Sequence, residues 1–204
     1  MREGRRDQDA EQGTAVFSSG HASPARLLRS IVLVGMMGSG KTAVGRALAQ
    51  KLGVPFLDSD QAIEEAAQAS IAEIFARDGE PFFRDREAEV LARLLSGPPA
   101  VVSTGGGAFL AERNRRNIAE HGVALWLDAD LETLWERVRH KESRPLLRTP
   151  DPRGTLAALL AARTPIYRLA PLRLAVDPRS SVEQTAARAL ALLTAHPGIL
   201  ESVS

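Results

Sequence analysis

A glycine-rich segment of eight residues restricts the possible folds more than any other part of the sequence. The segment GMMGSGKT at positions 35–42 satisfies the pattern G-x-x-x-x-G-K-[ST]. It follows a continuous apolar run, Ile31 to Val34, which is typical of a strand buried on both faces of a parallel sheet. It precedes a segment, Thr42 to Leu52, in which apolar residues recur with helical spacing. The sequence therefore predicts a strand, a phosphate-binding loop and a helix, in that order.

The predicted loop has the chemistry that a nucleotide phosphate requires. Its glycines let backbone N–H groups turn toward phosphate oxygens, and the helix dipole behind them adds positive charge. Lys41 is expected to reach the β- and γ-phosphates, and the hydroxyl of Thr42 to bind Mg²⁺. The alternative is a plain glycine-rich turn. We predict an ATP site whose loop residues are Gly38, Ser39, Gly40, Lys41, Thr42 and Ala43.

The rest of the chain alternates between short apolar segments and helical patterns. Further strands are expected at residues 54–57, 100–103, 123–127 and 172–176, and a helical pattern follows each. This alternation produces parallel crossovers with helices on both sides of a sheet. It predicts an α/β fold, a three-layer α/β/α sandwich with a central parallel sheet of about five strands. Ligands of such sheets bind at the carboxyl ends of the strands.

The composition suits one domain without a large or unusual partner. We assign residues 29–196 to this domain, residues 1–28 to a disordered extension and residues 197–204 to a tail. The formal net charge of +1 argues against a nucleic-acid binder, and the absence of cysteine excludes disulfides. No apolar run approaches the ~18 residues that span a bilayer. We expect a cytoplasmic monomer that has no nucleic-acid or membrane partner.

Two predicted strands end in residues that suit a reactive site. Asp58 and Asp60 close one strand, where side chains two residues apart point to the same side. One carboxylate of such a pair can hold Mg²⁺ through water, and the other can act as a base toward a substrate hydroxyl. The alternative is an ordinary helix cap. The glycines at 105–107 close another strand and either admit a ligand close to the backbone or form a flexible turn.

Two groups of cations complete the candidate site. Within region 79–95, assigned to substrate binding, Arg84 and Glu87 have i, i+3 spacing. They form either a surface salt bridge or an arginine held to grip a substrate carboxylate. Region 137–154 is rich in Arg, Lys and Pro, and forms either a solvated charge run or a lid. A lid arginine over the γ-phosphate is worth about 10³–10⁵ in rate, and we assign that role to Arg144.

Together and in this order, the motifs resemble the shikimate kinase family of the P-loop, nucleoside-monophosphate-kinase-like group. The resemblance extends from about Ser30 to Ala195. The segments that carry it are GMMGSGKT at 35–42, DSD at 58–60, GE at 79–80 with FR at 83–84 and Glu87, GGG at 105–107, RPLL at 144–147, and Arg163 with Tyr167.

The resemblance implies a P-loop NTPase fold and transfer of the γ-phosphate of ATP to the 3-hydroxyl of shikimate, a step toward chorismate. It implies that Asp60 binds the shikimate hydroxyls and is the base. The predicted catalytic residues are Lys41, Asp60 and Arg144. The predicted substrate-binding residues are Asp60, Arg84, Glu87, Gly106, Gly107 and Arg163. Arg84 and Arg163 would hold the carboxylate, while Arg163 by itself could equally cap its helix.

The resemblance also implies a nucleotide side and one Mg²⁺ ion. Thr42 and Asp58 would hold the metal, with Ser103 a secondary candidate. Arg137 would lie against adenine, and Arg179 belongs to an adenine-side loop that aligns poorly. A further departure is Ala43, where many members have a second hydroxyl residue. The implied partners are two small molecules, ATP and shikimate.

Two other functions remain open on the sequence alone. One is another small-molecule kinase of the same fold, such as a gluconate kinase. The other is a non-catalytic ligand sensor, which would be expected to lose Lys41, Asp60 or Arg144. All three residues are present.

Overall fold

The computed structural model describes residues 25–140, 145–147 and 149–202. The strands of these residues are β1 Ala25–Leu27, β2 Ser30–Val34, β3 Phe56–Asp58, β4 Val101–Ser103, β5 Gly122–Asp128, β6 Leu172–Ala175 and β7 Leu200–Ser202. The helices are α1 Lys41–Leu52, α2 Ser59–Ala67, α3 Ile71–Leu95, α4 Glu112–His121, α5 Leu131–Val138, α6 Pro152–Tyr167 and α7 Val182–Thr194. Short 3-10 turns form at Ala108–Leu110 and Pro145–Leu147.

Five strands form the predicted central sheet, in the order β3-β4-β2-β5-β6, and every neighbouring pair is parallel. All residues of the middle strand β2 are buried, as its continuous apolar run predicts. Helices flank the sheet, with α1 packed beside α7 and α3 beside α4. The three-layer α/β/α sandwich and its P-loop NTPase class are therefore confirmed.

The register of the sheet brings together the loops that carry the predicted site residues. Asp58 at the end of β3 lies beside Ser103 at the end of β4, and Ser103 lies beside Leu33 of β2. Because all three strands run in the same direction, the loops that follow them meet at one edge of the sheet. That edge holds the phosphate-binding loop.

The phosphate-binding loop needs glycine for both conformation and space. Gly38 and Gly40 have φ angles of 83° and 98°, in the left-handed region that favours glycine. A Cβ atom at Gly38 would lie 2.7 Å from the Cγ1 atom of Val138. The loop therefore packs directly against α5.

Helix α3 is interrupted at Gly79. Gly79 has φ 82° and ψ 172°, which is not helical, and Pro81 lies in the first turn after it. The first half begins with a capping box formed by Ser70 and Glu73. The second half starts a new helical direction, and Arg84 lies near its beginning.

The structure corrects two ranges of the sequence analysis. Ala25–Leu27, assigned to the extension, pairs in antiparallel fashion with Leu200–Ser202, assigned to the tail. The pairing buries Leu27 and Ile199 together with the core, a long-range contact that leaves no local sequence pattern. Helix α6 begins at Pro152, inside the predicted lid range 137–154, because Asp151 caps it and proline is favoured in a first turn.

Two of the predictions fall on residues that the structure does not describe. Residues 1–24 hold most of the predicted extension, and Arg144 lies in the segment 141–144. Both therefore stay predictions. Among the described residues, no helix is both long enough and apolar enough to cross a membrane.

Candidate active site

A cleft of about 440 Å³ lies at the carboxyl ends of the parallel strands. Residues from several loops and helices line it. They are Met37 to Val44 of the phosphate-binding loop, Asp58 and Asp60, Ser103 to Gly106, and a wall of Arg137, Val176, Ser180, Val182 and Thr185.

Lys41 lies on the inner side of its own loop. Lys41 is only 8% exposed, and its Nζ atom donates hydrogen bonds of 2.9 Å to the carbonyl oxygens of Gly35 and Met36. These bonds hold the ammonium group against the backbone of the phosphate-binding loop. The lysine of a P-loop generally contacts the β- and γ-phosphates, and that role of Lys41 stays a prediction.

Three oxygen-bearing side chains meet beside the loop. Thr42 Oγ1 donates to Asp58 Oδ2 at 3.2 Å and lies 3.3 Å from Ser103 Oγ. The other oxygen of Asp58 accepts from the backbone N–H groups of Asp60 and Gln61 and so caps α2. Both interpretations of Asp58, a helix cap and a member of the site, therefore describe its geometry.

The chemistry of this oxygen cluster fits Mg²⁺. Magnesium prefers oxygen ligands, and nucleotide sites supply only one or two side chains, with phosphates and water completing the coordination. Among the residues described, no group of three His, Cys, Asp or Glu side chains could hold a metal by itself. The oxygens of Thr42 and Asp58 are therefore suited to an ion that arrives with its nucleotide.

Asp60 faces the triple-glycine turn across the cleft. A Cβ atom at Gly105 would lie 2.7 Å from Asp60 Oδ1 and 3.3 Å from Oδ2. Only a residue without a side chain leaves the carboxylate this room. Asp60 is partly exposed and lines the cleft, while its Oδ1 atom is buried beside Gly105.

Arg84 is held by two carboxylates and lies against Gly107. Its Nη1 donates to both oxygens of Glu87 at 3.1 and 3.0 Å, while Nη2 and Nε donate to Glu80 Oε1 at 2.9 and 3.2 Å. A Cβ atom at Gly107 would lie 2.6 Å from Nη1. Because the Glu87 side chain is 1% exposed, this is a fixed arginine rather than a loose surface salt bridge.

Burial and pairing set the protonation of this group. Burial raises the pKa of Glu87 above its ordinary value of 4.5, although the charge and hydrogen bonds of Arg84 oppose the shift. Burial acts to lower the pKa of Arg84, but Glu87 and Glu80 outweigh it, and the pKa is raised. Arg84 therefore keeps its positive charge while partly removed from water.

The raised pKa of Glu87 predicts a pH-dependent stability. Below pH 4.5, where the carboxyl group is protonated in both states, the contribution from this shift is fully present, and it is lost as pH rises through the folded-state pKa. Glu87→Gln does not titrate. We expect the unfolding free energy of wild type minus that of the variant to increase as pH falls from neutral toward 4.5. Urea unfolding at several pH values measures it.

Glu89→Gln removes an exposed carboxylate from the same helix and controls for loss of charge alone. A difference between wild type and Glu87→Gln that stays constant or shrinks on acidification would contradict the burial argument.

Tyr167 joins the turn, the phosphate-binding loop and a second arginine. It is fully buried, its hydroxyl donates to the Gly106 carbonyl oxygen, and the hydroxyl lies 3.9 Å from Met36 Sδ. Arg163 hydrogen-bonds to Tyr167, and burial raises the pKa of Tyr167 against the opposing effect of Arg163. A Cβ atom at Gly106 would lie 3.6 Å from Arg163 Nη1. Arg163 therefore lies at the same turn as Arg84.

The two arginines predicted for the nucleotide side have different surroundings. Arg137 Nη1 donates to the carbonyl oxygens of Gly38 and Ser39 at 3.2 and 3.3 Å, so it supports the phosphate-binding loop. The Arg179 side chain is 90% exposed and pairs with Asp177 at 3.5 Å. Its neighbour Ser180 lines the cleft, and the contact of Arg179 with the nucleotide stays a prediction.

The wall beyond Arg137 consists of Val176, Ser180, Val182 and Thr185. No motif distinguishes these residues, because their place in the site depends on how α7 packs beside α1. Ordinary small and apolar side chains of this kind suit the flat face of a nucleotide base.

Comparisons of the chain with curated proteins point to one family. The sequence model of the family described as shikimate kinase matches residues 37–194. A shikimate kinase of Ruegeria pomeroyi is 64% identical over 177 residues, covering 87% of this chain and 91% of that protein. A shikimate kinase of Cereibacter sphaeroides is 59% identical over 199 residues, covering 97% and 96%.

Solved structures agree with this assignment. A shikimate kinase from Acinetobacter baumannii in complex with shikimate superposes with a TM-score of 0.78 and 39% identity, covering 82% of this chain and 93% of that one. A gluconokinase from Sinorhizobium meliloti reaches a TM-score of 0.54 at 21% identity, covering 83% and 93%, and shares the fold alone. From its sequence, its fold and the geometry of its cleft, this chain belongs to the shikimate kinase family.

Proposed function

We propose that this chain transfers the γ-phosphate of ATP to the 3-hydroxyl of shikimate, giving 3-phosphoshikimate and ADP. One observation carries the proposal. The triple-glycine turn adjoins the phosphate-binding loop, since a Cβ atom at Gly106 would lie 3.4 Å from the Met37 backbone nitrogen. The same turn contacts Asp60, Arg84 and Arg163. The residues proposed for the phosphate donor site and those proposed for the carboxylate site therefore meet at this one glycine turn, although Arg84 and Arg163 lie beside the turn rather than in the lining of the 440 Å³ cleft.

In the donor half, the loop residues from Gly38 to Ala43 would bind the ATP phosphates through backbone N–H groups, and Lys41 would contact the β- and γ-phosphates. Thr42 and Asp58 would hold Mg²⁺, which, when bound, neutralises developing charge on the phosphates. Arg144, outside the described residues, would close over the γ-phosphate. Arg137 would hold the loop in shape through its two carbonyl bonds.

In the acceptor half, Arg84 and Arg163 would bind the carboxylate of shikimate from two sides of the glycine turn. Glu87 would keep the Arg84 fork aimed at the turn. Gly106 and Gly107 would offer backbone N–H groups. Asp60 would accept hydrogen bonds from the ring hydroxyls and take the proton of the 3-hydroxyl as it attacks.

The two alternatives have less support. The likeness to a gluconokinase extends to the fold alone, whereas the paired arginines at a glycine turn suit a rigid ring acid. A sensor without catalysis would not need Lys41 and Asp60 in one cleft, and the similar curated proteins are named as kinases.

An assay of coupled ADP release tests the proposal directly. Purified full-length chain with ATP and Mg²⁺ is offered shikimate, gluconate or simple alcohols as the acceptor. We expect shikimate to drive ADP release and the other acceptors to give only background hydrolysis. Turnover with gluconate in place of shikimate would favour the gluconate-kinase alternative, and binding without turnover would favour a sensor.

We further propose that the chain works as a cytoplasmic monomer on small molecules, with no nucleic-acid or membrane partner. The formal net charge of +1 supports the part of this proposal that concerns nucleic acid. Sedimentation velocity at several protein concentrations measures the oligomeric state, and a concentration-independent monomer is expected.

A further inference from the structure

The acceptor half has two walls, the part of α3 around Arg84 and the glycine turn at 105–107. Helix α4 begins where these walls meet. Arg113, in its first turn, donates from Nη1 to Asp85 Oδ1 and from Nη2 to the backbone carbonyl oxygen of Arg84, both at 2.6 Å. Both acceptors belong to α3. One guanidinium group therefore ties α4 to the residue whose own side chain faces Gly107.

The next two residues tie α4 to the glycine turn. Asn114, 1% exposed, donates from Nδ2 to the Ala108 carbonyl oxygen at 2.9 Å. Arg115 Nη1 donates to the carbonyl oxygens of Phe109 and Leu110 at 2.9 and 2.6 Å. Ala108 directly follows the last glycine of the turn. The start of α4 thus holds both walls of the acceptor half at once.

The separation of these walls matters because Arg84 has little room. Nη1, Nη2 and Cζ of its guanidinium lie 2.6, 2.8 and 2.9 Å from where a Cβ atom of Gly107 would be. A small shift of α3 relative to the turn would move the fork away from the turn. Among the residues that the structure describes, the bond from Arg113 is the one that joins the Arg84 backbone to α4.

We propose that Arg113 is a positioning residue for the acceptor carboxylate, acting through Arg84. It holds the Arg84 backbone at the distance from α4 that places the Arg84 fork on Gly107. The inference rests on the proposed function, in which that fork binds the carboxylate of shikimate. The Arg113 side chain is 50% exposed, and its guanidinium bonds to Asp85 and to the Arg84 carbonyl oxygen, so its effect on the acceptor is exerted through Arg84.

Electrostatics adds to the same effect. The charge of Arg113 acts to lower the pKa of Glu87, against the larger effect of burial. Arg113 therefore favours the ionised Glu87 that the Arg84 fork requires. Losing Arg113 removes both the bond to the Arg84 carbonyl and part of the positive field at Glu87.

Steady-state kinetics of the full chain test the inference. Arg113→Met should raise KM for shikimate about three- to tenfold, the loss of roughly one good hydrogen bond, with kcat and KM for ATP little changed. Arg113→Lys keeps the charge but not the two-armed fork, so it should restore part of the wild-type KM. Arg116→Met on the same helix removes an exposed arginine whose ion pair is with Glu112, within α4, and serves as the control.

A double-mutant cycle separates positioning from general stability. In an Arg84→Lys background the fork is already lost, so Arg113→Met should add little to KM for shikimate. An equal factor in both backgrounds, or an unchanged KM in Arg113→Met and Arg113→Lys, would overturn the inference. Arg84→Lys also tests the underlying function. If Arg84→Lys leaves KM for shikimate unchanged, the carboxylate site itself is misassigned and this inference falls with it.

Discussion

Replacing Asp60 with asparagine should lower kcat by about 10²–10⁴, the usual contribution of a general base, while ATP still binds. The amide has nearly the same shape as the carboxylate, so it fits the space beside Gly105. It cannot accept the proton of the attacking hydroxyl. The backbone N–H of Asp60, which bonds to Asp58 Oδ1, is unaffected, so the start of α2 and the neighbouring Thr42 contact should persist.

Two measurements on the same preparation check this expectation. Calorimetric titration with ATP should give the wild-type affinity, and coupled ADP release with shikimate should give almost no turnover. Glu65→Gln, an equal charge change at an exposed position of α2, is the matched control and should keep full activity. Turnover of Asp60→Asn at the wild-type rate would remove Asp60 from the mechanism.

Replacing Gly107 with alanine should raise KM for shikimate about ten- to hundredfold, the cost of one charge-assisted hydrogen bond of about 1.5–3 kcal/mol. The new Cβ atom would lie 2.6 Å from Arg84 Nη1, closer than any packed structure allows. The φ angle of Gly107 is −92°, which alanine adopts readily, so the effect is a displaced arginine rather than a strained backbone. We expect kcat to change much less than KM.

The control for this variant is another glycine that alanine can replace. Gly97→Ala places a Cβ atom at an ordinary 3.6 Å from the Leu94 carbonyl oxygen. Gly97 precedes β4, whereas the cleft lies at the opposite, carboxyl end of that strand, so KM should be unchanged. A KM for shikimate in Gly107→Ala equal to wild type would show that Arg84 does not bind the carboxylate from this position.

The local parts of the fold could be predicted because their signals span a few residues. The phosphate-binding loop, the capping box at Ser70 and the break at Gly79 follow from backbone conformations and hydrogen bonds within one or two turns. The buried strand β2 follows from its unbroken apolar run. The parallel sheet follows from the alternation of strands and helices.

Other parts depended on contacts between distant residues. β1 pairs with β7 from opposite ends of the chain, so neither three-residue strand has a recognisable pattern by itself. The resemblance to the family assigns Arg179 to the adenine side. In the structure its side chain is 90% exposed and pairs with Asp177. The wall of the nucleotide side comes from residues whose types are common on any helix.

The sequence by itself determined which chemical groups this protein contains. They are a phosphate-binding loop with Lys41, a candidate base in Asp60, and Arg84 with Glu87 three residues after it. Only the tertiary structure decided how they are held: that Glu87 is buried, that Arg84 lies on Gly107, and that Arg113 reaches the Arg84 carbonyl. Short motifs act through neighbouring backbone, whereas these three contacts depend on the register and packing of elements far apart in the chain. No local pattern encodes such distances.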